Sequence, residues 1–421
     1  MGVVDFFGKV VCENYEKHPV FTRNFIKAGY GAQGLLLKYR PDPRFLPSQR
    51  YLTQLCMKYT LAPLRRPGRS VMANIFAPPE LLHAMGLYPL FAEGFSSYLT
   101  GGKCERVFLD TAEKNGVPVT YCSYHKALIG AVEAGVIQKP RFVVTTSTAC
   151  DANTSTFRRI AKHYGVEEFY IDVPFELNGE SVEYVSDQIK KLAVFAQDIM
   201  GESLDRNKLA AAIRNTNESV RYYRLFVEQL REKYFPSSVT LEMFRIFTSH
   251  LLMGTNEALE FYRLQYQDIL QCGKSNAKRV LWSHVLPYYL EPLKSTLDFN
   301  ENVQLLLSDM NFDAMLEVDE FKPYESMAKR LIMNHLNGGF GRKVASVLEM
   351  ADRLRADAAI CYCHWGCKQS NGGAFLLKKA FSARGMPALI LDGDACDRRN
   401  TNEGQTATRL QAFLEILEGK K

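Results

Sequence analysis

No stretch of this 421-residue chain approaches the roughly 18 consecutive apolar residues of a membrane span. Its opening, Gly2-Val3-Val4-Asp5-Phe6-Phe7-Gly8, puts an acid inside a short apolar patch and lacks the architecture of a signal peptide. Together these absences read as a cytoplasmic protein with no membrane partner. A phosphate loop of the form G-x-x-x-x-G-K-[ST] is also missing, which argues against nucleotide hydrolysis by this chain. Without a C-x-x-C pair there is no thioredoxin-like dithiol, and without a recognition motif there is little case for nucleic acid. Cysteine is sparse, ten in the whole chain, too few for a disulfide scaffold of this size. In a reducing compartment, thiols that do group together point to metal binding or redox chemistry.

Apolar residues make up 47% of the chain, enough for substantial cores spread over several domains. The net charge of +6 is unevenly spread: residues 1–70 hold twelve Lys or Arg against four Asp or Glu. That segment could face an anionic ligand or an acidic partner, or simply present a solvated basic surface.

Residues 1–69 have helical periodicity and end at Arg65-Arg66-Pro67-Gly68-Arg69, a linker signal. Within them Gly29-Tyr30-Gly31-Ala32-Gln33-Gly34 matches G-x-G-x-x-G, but no strand precedes it and no β-α-β unit follows, so a nucleotide site is not expected. Over 70–179, short apolar runs (Val71 to Phe76, Tyr88 to Phe91, Val119 to Tyr121, Phe142 to Thr146, Phe169 to Val173) alternate with helical stretches. This is the pattern of an α/β unit with a parallel sheet. Residues 180–274 read as a helical insert, with long periodic segments at Leu209 to Tyr234 and Leu241 to Leu270. A second α/β unit covers 275–421, with strands expected at Val280 to Trp282, Val303 to Leu307, Ala358 to Tyr362 and Ala388 to Leu391. Asn400 and Glu403 can form a capping box that opens the last helix.

Cys12, Cys56 and Cys272 stand in helical surroundings, where inert thiols are expected. The other seven fall near predicted turns. Cys122, Cys150, Cys363, Cys367 and Cys396 are expected just past strand ends, and Cys104 follows the glycine pair Gly101-Gly102. The carboxyl edge of a parallel sheet is where ligands collect, and free N–H groups of the next helix favour an anion there. Thiolates on facing edges could hold zinc, a cubane iron–sulfur cluster or a catalytic dithiol. Zinc would want two close cysteine pairs, and only Cys363-x-x-x-Cys367 qualifies.

The string Cys363-His364-Trp365-Gly366-Cys367-Lys368-Gln369-Ser370, with Leu391-Asp392-Gly393-Asp394, Asp397-Arg398-Arg399-Asn400 and Glu403-Gly404-Gln405, resembles the C-terminal signature of the 2-hydroxyacyl-CoA dehydratase superfamily. Thr148-Ala149-Cys150-Asp151 and Pro78-Pro79-Glu80-Leu81-Leu82 resemble its N-terminal signatures, and the match spans roughly residues 70–175 and 275–418. The resemblance implies two Rossmann-like parallel-sheet domains facing across a cluster-binding cleft. A [4Fe–4S] cubane would sit there on three cysteines, carried over by position to Cys122, Cys150 and Cys367, and a separate ATP-hydrolysing iron–sulfur activator would charge it.

Cys104, Cys361, Cys363 and Cys396 exceed what one cubane needs. This surplus resembles the double-cubane proteins of the superfamily, which hold an [8Fe–9S] centre. Six ligands would then be Cys104, Cys122, Cys150, Cys363, Cys367 and Cys396, with Cys361 left in the core, although Cys361 and Cys363 share a strand face. His125, His364 and Lys368 are candidate donors of protons or hydrogen bonds to the cluster or substrate, with Lys126 and Gln369 as further polar groups. Three functions follow from the resemblance. The leading one is a homodimeric, oxygen-sensitive reductase of small molecules, driven by the activator through the [8Fe–9S] double-cubane cluster. The others are a 2-hydroxyacyl-CoA dehydratase subunit with one [4Fe–4S] cluster, and a non-catalytic electron-transfer or cluster-storage protein.

Overall fold

The computed structural model describes residues 2–419. Three helices open the chain: α1 (Val3–Asn14), α2 (Pro19–Tyr39) and α3 (Pro47–Arg65). Proline starts both α2 and α3, where its missing N–H is no loss and its fixed φ suits the first turn. The glycine run 29–34 lies inside α2. A Cβ on Gly29 would fall 2.3 Å from the Phe7 ring, so this run serves close helix packing.

The first sheet follows as β1 (Ser70–Ala73), α4 (Pro79–Ala84), β2 (Tyr88–Leu90), α5 (Ala92–Gly101), α6 (Glu105–Lys114), α7 (Ser123–Glu133), β3 (Val143–Thr146), α8 (Asp151–Tyr164) and β4 (Glu168–Ile171). Its strands are parallel in the order β2-β1-β3-β4. Every residue of β1 and β3 is buried, which is why they read as short unbroken apolar runs rather than alternating ones.

Four helices come next: α9 (Gly179–Met200), α10 (Arg206–Leu230), α11 (Val239–Leu251) and α12 (Asn256–Gln271). The second sheet is built from β5 (Lys278–Ser283), α13 (Glu291–Leu297), β6 (Val303–Ser308), α14 (Pro323–Met333), α15 (Phe340–Arg353), β7 (Ala358–His364), α16 (Lys368–Asn371), α17 (Ala374–Ala383), β8 (Ala388–Gly393) and α18 (Glu403–Gly419). It is parallel in the order β6-β5-β7-β8 and so repeats the winding of the first. In each sheet the first strand lies beside the third, and the chain leaves the two in opposite directions. This leaves a crevice at their carboxyl ends, the place where open α/β sheets take ligands.

One contiguous apolar core runs from Val11 to Leu417 through both sheets and the helices between them. A buried ion pair crosses it: Arg330 of α14 donates to both oxygens of Glu80 in α4 at 2.7 and 2.6 Å, and Thr216 of α10 adds a third bond at 2.9 Å. Burial alone would raise the Glu80 carboxyl, but the Arg330 charge and these bonds hold it below its ordinary range. No helix among the described residues is long and apolar enough to cross a membrane.

Three local expectations need correction. Val119–Tyr121 is a turn, not a strand: Pro118 precedes it, the Tyr121 amide bonds back to the Pro118 carbonyl, and the buried Lys126 ammonium holds the Val119 carbonyl at 2.8 Å. The periodic segment 241–270 breaks into α11 and α12 because Gly254 turns left-handed at φ +92° and Thr255 caps the Ala258 amide. The last helix is capped by Asn402, which accepts from the Gln405 amide, while Asn400 bonds to Asp394 and Asp397 instead.

Candidate metal centre

Cys122 ends the turn stapled by Lys126 and stands at the N-cap of α7. Cys150 stands at the N-cap of α8, behind Ala149, whose φ of +64° is unusual for a residue with a side chain. From the second sheet, Cys367 occupies the N-cap of α16 just past the end of β7. None of the three side chains caps its own helix, so each sulfur is free to point elsewhere.

Gly366 brings the halves together. Its φ is +77°, and a Cβ there would lie 2.7 Å from the Cys122 amide nitrogen and 2.8 Å from the Thr120 carbonyl oxygen. Backbone from the second sheet therefore presses directly on backbone from the first, which no other residue type allows. At this seam the thiols act on one another. The Cys122 thiol is pushed up by burial, then by the neighbouring Cys150 and Cys367, and the Cys150 thiol by burial and by Cys367. Such thiols give up their protons only when a cation shares the space.

His364 sits behind Cys122, with Nε2 3.4 Å from Sγ. Its Nδ1 accepts from the Ala395 amide at 3.1 Å, so the ring proton is on Nε2 and is donated to sulfur. Asp394 organises this side. Its Oδ1 accepts from Ser123 at 2.5 Å and from the Cys396 and Asp397 amides at 2.9 and 2.8 Å. On the other side His125 places Nε2 3.8 Å from the Cys150 sulfur, its Nδ1 has no partner, and burial pushes it down to about 3. The side chains of Thr148 and Asn153 likewise hold buried polar atoms without partners.

The other expected residues lie outside this group. Cys363 shares β7 and feels the Cys367 charge, but its sulfur rests on the Ser370 carbonyl, and burial pushes the thiol up to about 11. Cys361 is a core thiol of the same strand, near Lys343 and Asp309. The Cys396 sulfur accepts from Thr100 of α5 at 3.2 Å, and Cys104 faces the Leu99 carbonyl with Cys12 as its thiol neighbour. Lys368 is exposed and reaches Asp151 at the start of α8 at 2.5 Å, where that carboxylate raises its ammonium. Lys126 bonds Glu113 and Val119, and Gln369 is half-buried.

Sequence reasoning missed Asp394 as the hub, and it missed Glu93. The Glu93 carboxyl has one oxygen without a partner and is pushed up to about 7 by burial; its charge is felt at Cys150. A lone acid in the first turn of a helix gave no signal. Asp394, at the carboxyl end of β8, did stand where a site residue belongs.

Three cysteine sulfurs are a donor set that fits a thiolate-bound metal group. Among the described residues no three His, Cys, Asp or Glu groups converge to hold a single metal ion. A cubane does not need them to, since each thiolate binds a different iron at a separate corner.

The family model described as 2-hydroxyglutaryl-CoA dehydratase, D-component, matches residues 74–417. The chain belongs to this family of dehydratase subunits. Three curated relatives agree. The (R)-phenyllactyl-CoA dehydratase alpha subunit of Clostridium sporogenes is 21% identical over 82% of this chain and 88% of its own length. The lactoyl-CoA dehydratase subunit alpha of Anaerotignum propionicum is 23% identical over 81% and 89%. The (R)-2-hydroxyisocaproyl-CoA dehydratase alpha subunit of Clostridioides difficile is 21% identical over 85% and 92%. In this D-component family member, the second sheet, β2, β3 and β4 of the first sheet and the three-thiol seam fall inside the matched span, which begins just after β1.

Proposed function

We propose that Cys122, Cys150 and Cys367 hold a [4Fe–4S] cubane at the seam, and that the chain serves as the iron–sulfur subunit of a 2-hydroxyacyl-CoA dehydratase. The observation that carries this reading is that three thiols, drawn from both sheets by the Gly366 contact, lie within electrostatic reach of one another. When bound, the group supplies one-electron chemistry at low potential. The protein tunes and shields it. His364 donates its Nε2 proton to the Cys122 sulfur, which draws charge off that thiolate. Asp394 fixes the strand-end turn behind it, and burial of Cys122 and His364 keeps bulk water out. Electrons come from a separate ATP-hydrolysing activator, in keeping with a chain that lacks a phosphate loop.

A second reading has its own support. Cys363 feels the Cys367 charge, and Cys104 and Cys396 both rest on the last turn of α5, so three further buried thiols are available to a second unit. Six ligands would make the chain an [8Fe–9S] double-cubane reductase of small molecules, working as a homodimer. Iron and sulfide analysis of anaerobically purified protein decides between the two: about four irons per chain for one cubane, about eight for two. A zinc-loaded, iron-free protein would end both readings.

A further inference from the structure

The crevice of the second sheet holds a buried polar group that neither reading above uses. At the end of β5, His284 adopts φ +82°, a left-handed conformation that is strained in a residue with a side chain. It is held there from two sides: its amide donates to Asp309 Oδ1 at 2.6 Å, and Ser308 Oγ donates to its carbonyl at 2.7 Å. Asp309 lies just past the end of β6. Its Oδ2 accepts from Ser283 at 2.9 Å and pairs with the buried Lys343 ammonium of α15, also at 2.9 Å. With its backbone clamped in this way, the His284 ring is aimed, and its buried Nδ1 has no partner.

A second imidazole continues the group toward solvent. His335, after α14, has Nδ1 3.3 Å from the hydroxyl of Ser346, a half-buried residue of α15, and its buried Nε2 also lacks a partner. Nearby Asp313 uses Oδ2 for His250 and Asn334, both at 3.0 Å, and leaves Oδ1 unpaired. Lys343 neighbours both imidazoles. Burial and the Lys343 charge hold His284 at about 3, and burial, partly offset by Asp313 and Asp309 and reinforced by Lys343 and His250, holds His335 below its usual value. His284 also feels His364, the ring that bonds to Cys122. Buried polar atoms without a protein partner usually bind water or take part in catalysis, and three of them sit in this group.

We infer that His335 and His284, with Lys343, Asp309 and Asp313, form a proton path from the protein surface at Ser346 to the turn that carries His364. Loss of a hydroxyl group as water takes up a proton where it leaves, and reduction of a small molecule takes up protons too, so the role rests on the proposed function, though the path itself does not. A proton from solvent is taken by His335 at Nδ1 as the proton on Nε2 is released to a bridging water. That water protonates His284 at Nδ1, and His284 gives a proton to an acceptor at the seam. No electron moves; each transfer leaves the ring in its other tautomer, and a ring flip returns the proton to the starting nitrogen before the next transfer. Burial and the Lys343 charge, against the pull of Asp309, keep both rings neutral at rest and so able to relay.

The test uses full-length protein labelled with nitrogen-15 in histidine. Exchange of the His284 ring proton with solvent should slow by roughly 10-fold or more in His335→Gln, which keeps hydrogen bonding but cannot relay, and by less in the milder Ser346→Ala. In the iron-loaded enzyme with its electron donor, His335→Gln should keep its iron and spectrum, lose turnover by roughly 100-fold and show a larger solvent deuterium effect. Added imidazole should partly restore His335→Gly. Parent-like ring exchange in both variants would overturn the path, as would loss of turnover that merely follows loss of iron. If the protein proves to carry no cluster, the exchange measurement still decides the path.

Discussion

In the first sheet the strands beside the crevice, β1 and β3, run out into Asn74 and Thr146, which bond to each other at 3.0 Å, and the chain turns away through Ile75, Phe76, Ala77 and two prolines. In the second, β5 and β7 run out into Ser283-His284 and His364, and the crevice fills with the Lys343–Asp309 pair and a series of imidazoles. The winding is the same and the chemistry is not. One feature is shared: the loop after the third strand of each sheet ends in a cysteine at a helix N-cap, Cys150 in one and Cys367 in the other. The comparison shows a repeated scaffold in which each half supplies a thiol at the same place, while the strand ends of the first crevice meet in the neutral Asn74–Thr146 bond and those of the second in the Lys343–Asp309 pair.

The largest test of that equivalence is serine at either cysteine. Cys150→Ser and Cys367→Ser should lose cluster iron and activity to the same degree, read by iron analysis and low-temperature magnetic resonance. A large difference between them would break the symmetry. Cys396→Ser should retain about four irons and its spectrum if one cubane is present, and should lose iron if the double-cubane reading holds.

Next in size is the contrast in charge. Lys343→Met leaves Asp309 buried without its cation and should cost about 3–5 kcal/mol in denaturant unfolding of the metal-free chain. Asn74→Ala, its counterpart in the first crevice, should cost about 1 kcal/mol. Burial alone would raise the Asp309 carboxyl, but Lys343, His335 and the His284 amide hold it well below the usual range. A depressed carboxyl contributes stability that is full above about pH 4 and drains as the pH falls further. The parent should therefore lose stability in acid, and the gap to Lys343→Met should close there. A gap independent of pH would mean the pair is not what distinguishes the second crevice.

The smallest effect concerns the outer helix of the second unit. Asn402→Ala should cost about 1 kcal/mol, whereas Asn400→Ala should act through Asp394 and alter the cluster spectrum.

Strands buried on both faces were legible in the sequence as apolar runs, and that was enough to find the sheets and the thiols at their ends. Val119-Thr120-Tyr121 has the composition of a strand, but its backbone is bound by Lys126, a residue from the following helix, and nothing local reveals that. The break at Gly254 was readable in principle, since Gly-Thr followed by an acid two residues later is a stop and a start. The buried group of the second crevice was not readable as a unit. Ser283-His284 and Ser308-Asp309 each close an apolar run, but Lys343 and His335 come from separate helical stretches that only the crossover after β6 brings back. Motif resemblance reached Cys150 and Cys367 because they lie in continuous strings, reached Cys122 only by its position, and missed Glu93 because that residue stands alone.

Gly366 offers no functional group, yet it stands where the two halves touch. In a mutational scan it should rank with the cysteines, intolerant of every replacement, including alanine, which is harmless at most other positions. A survey limited to residues that can do chemistry would pass over it. The site is thus specified partly by an omission: at one position the sequence must withhold a side chain so that two distant segments can share the same space.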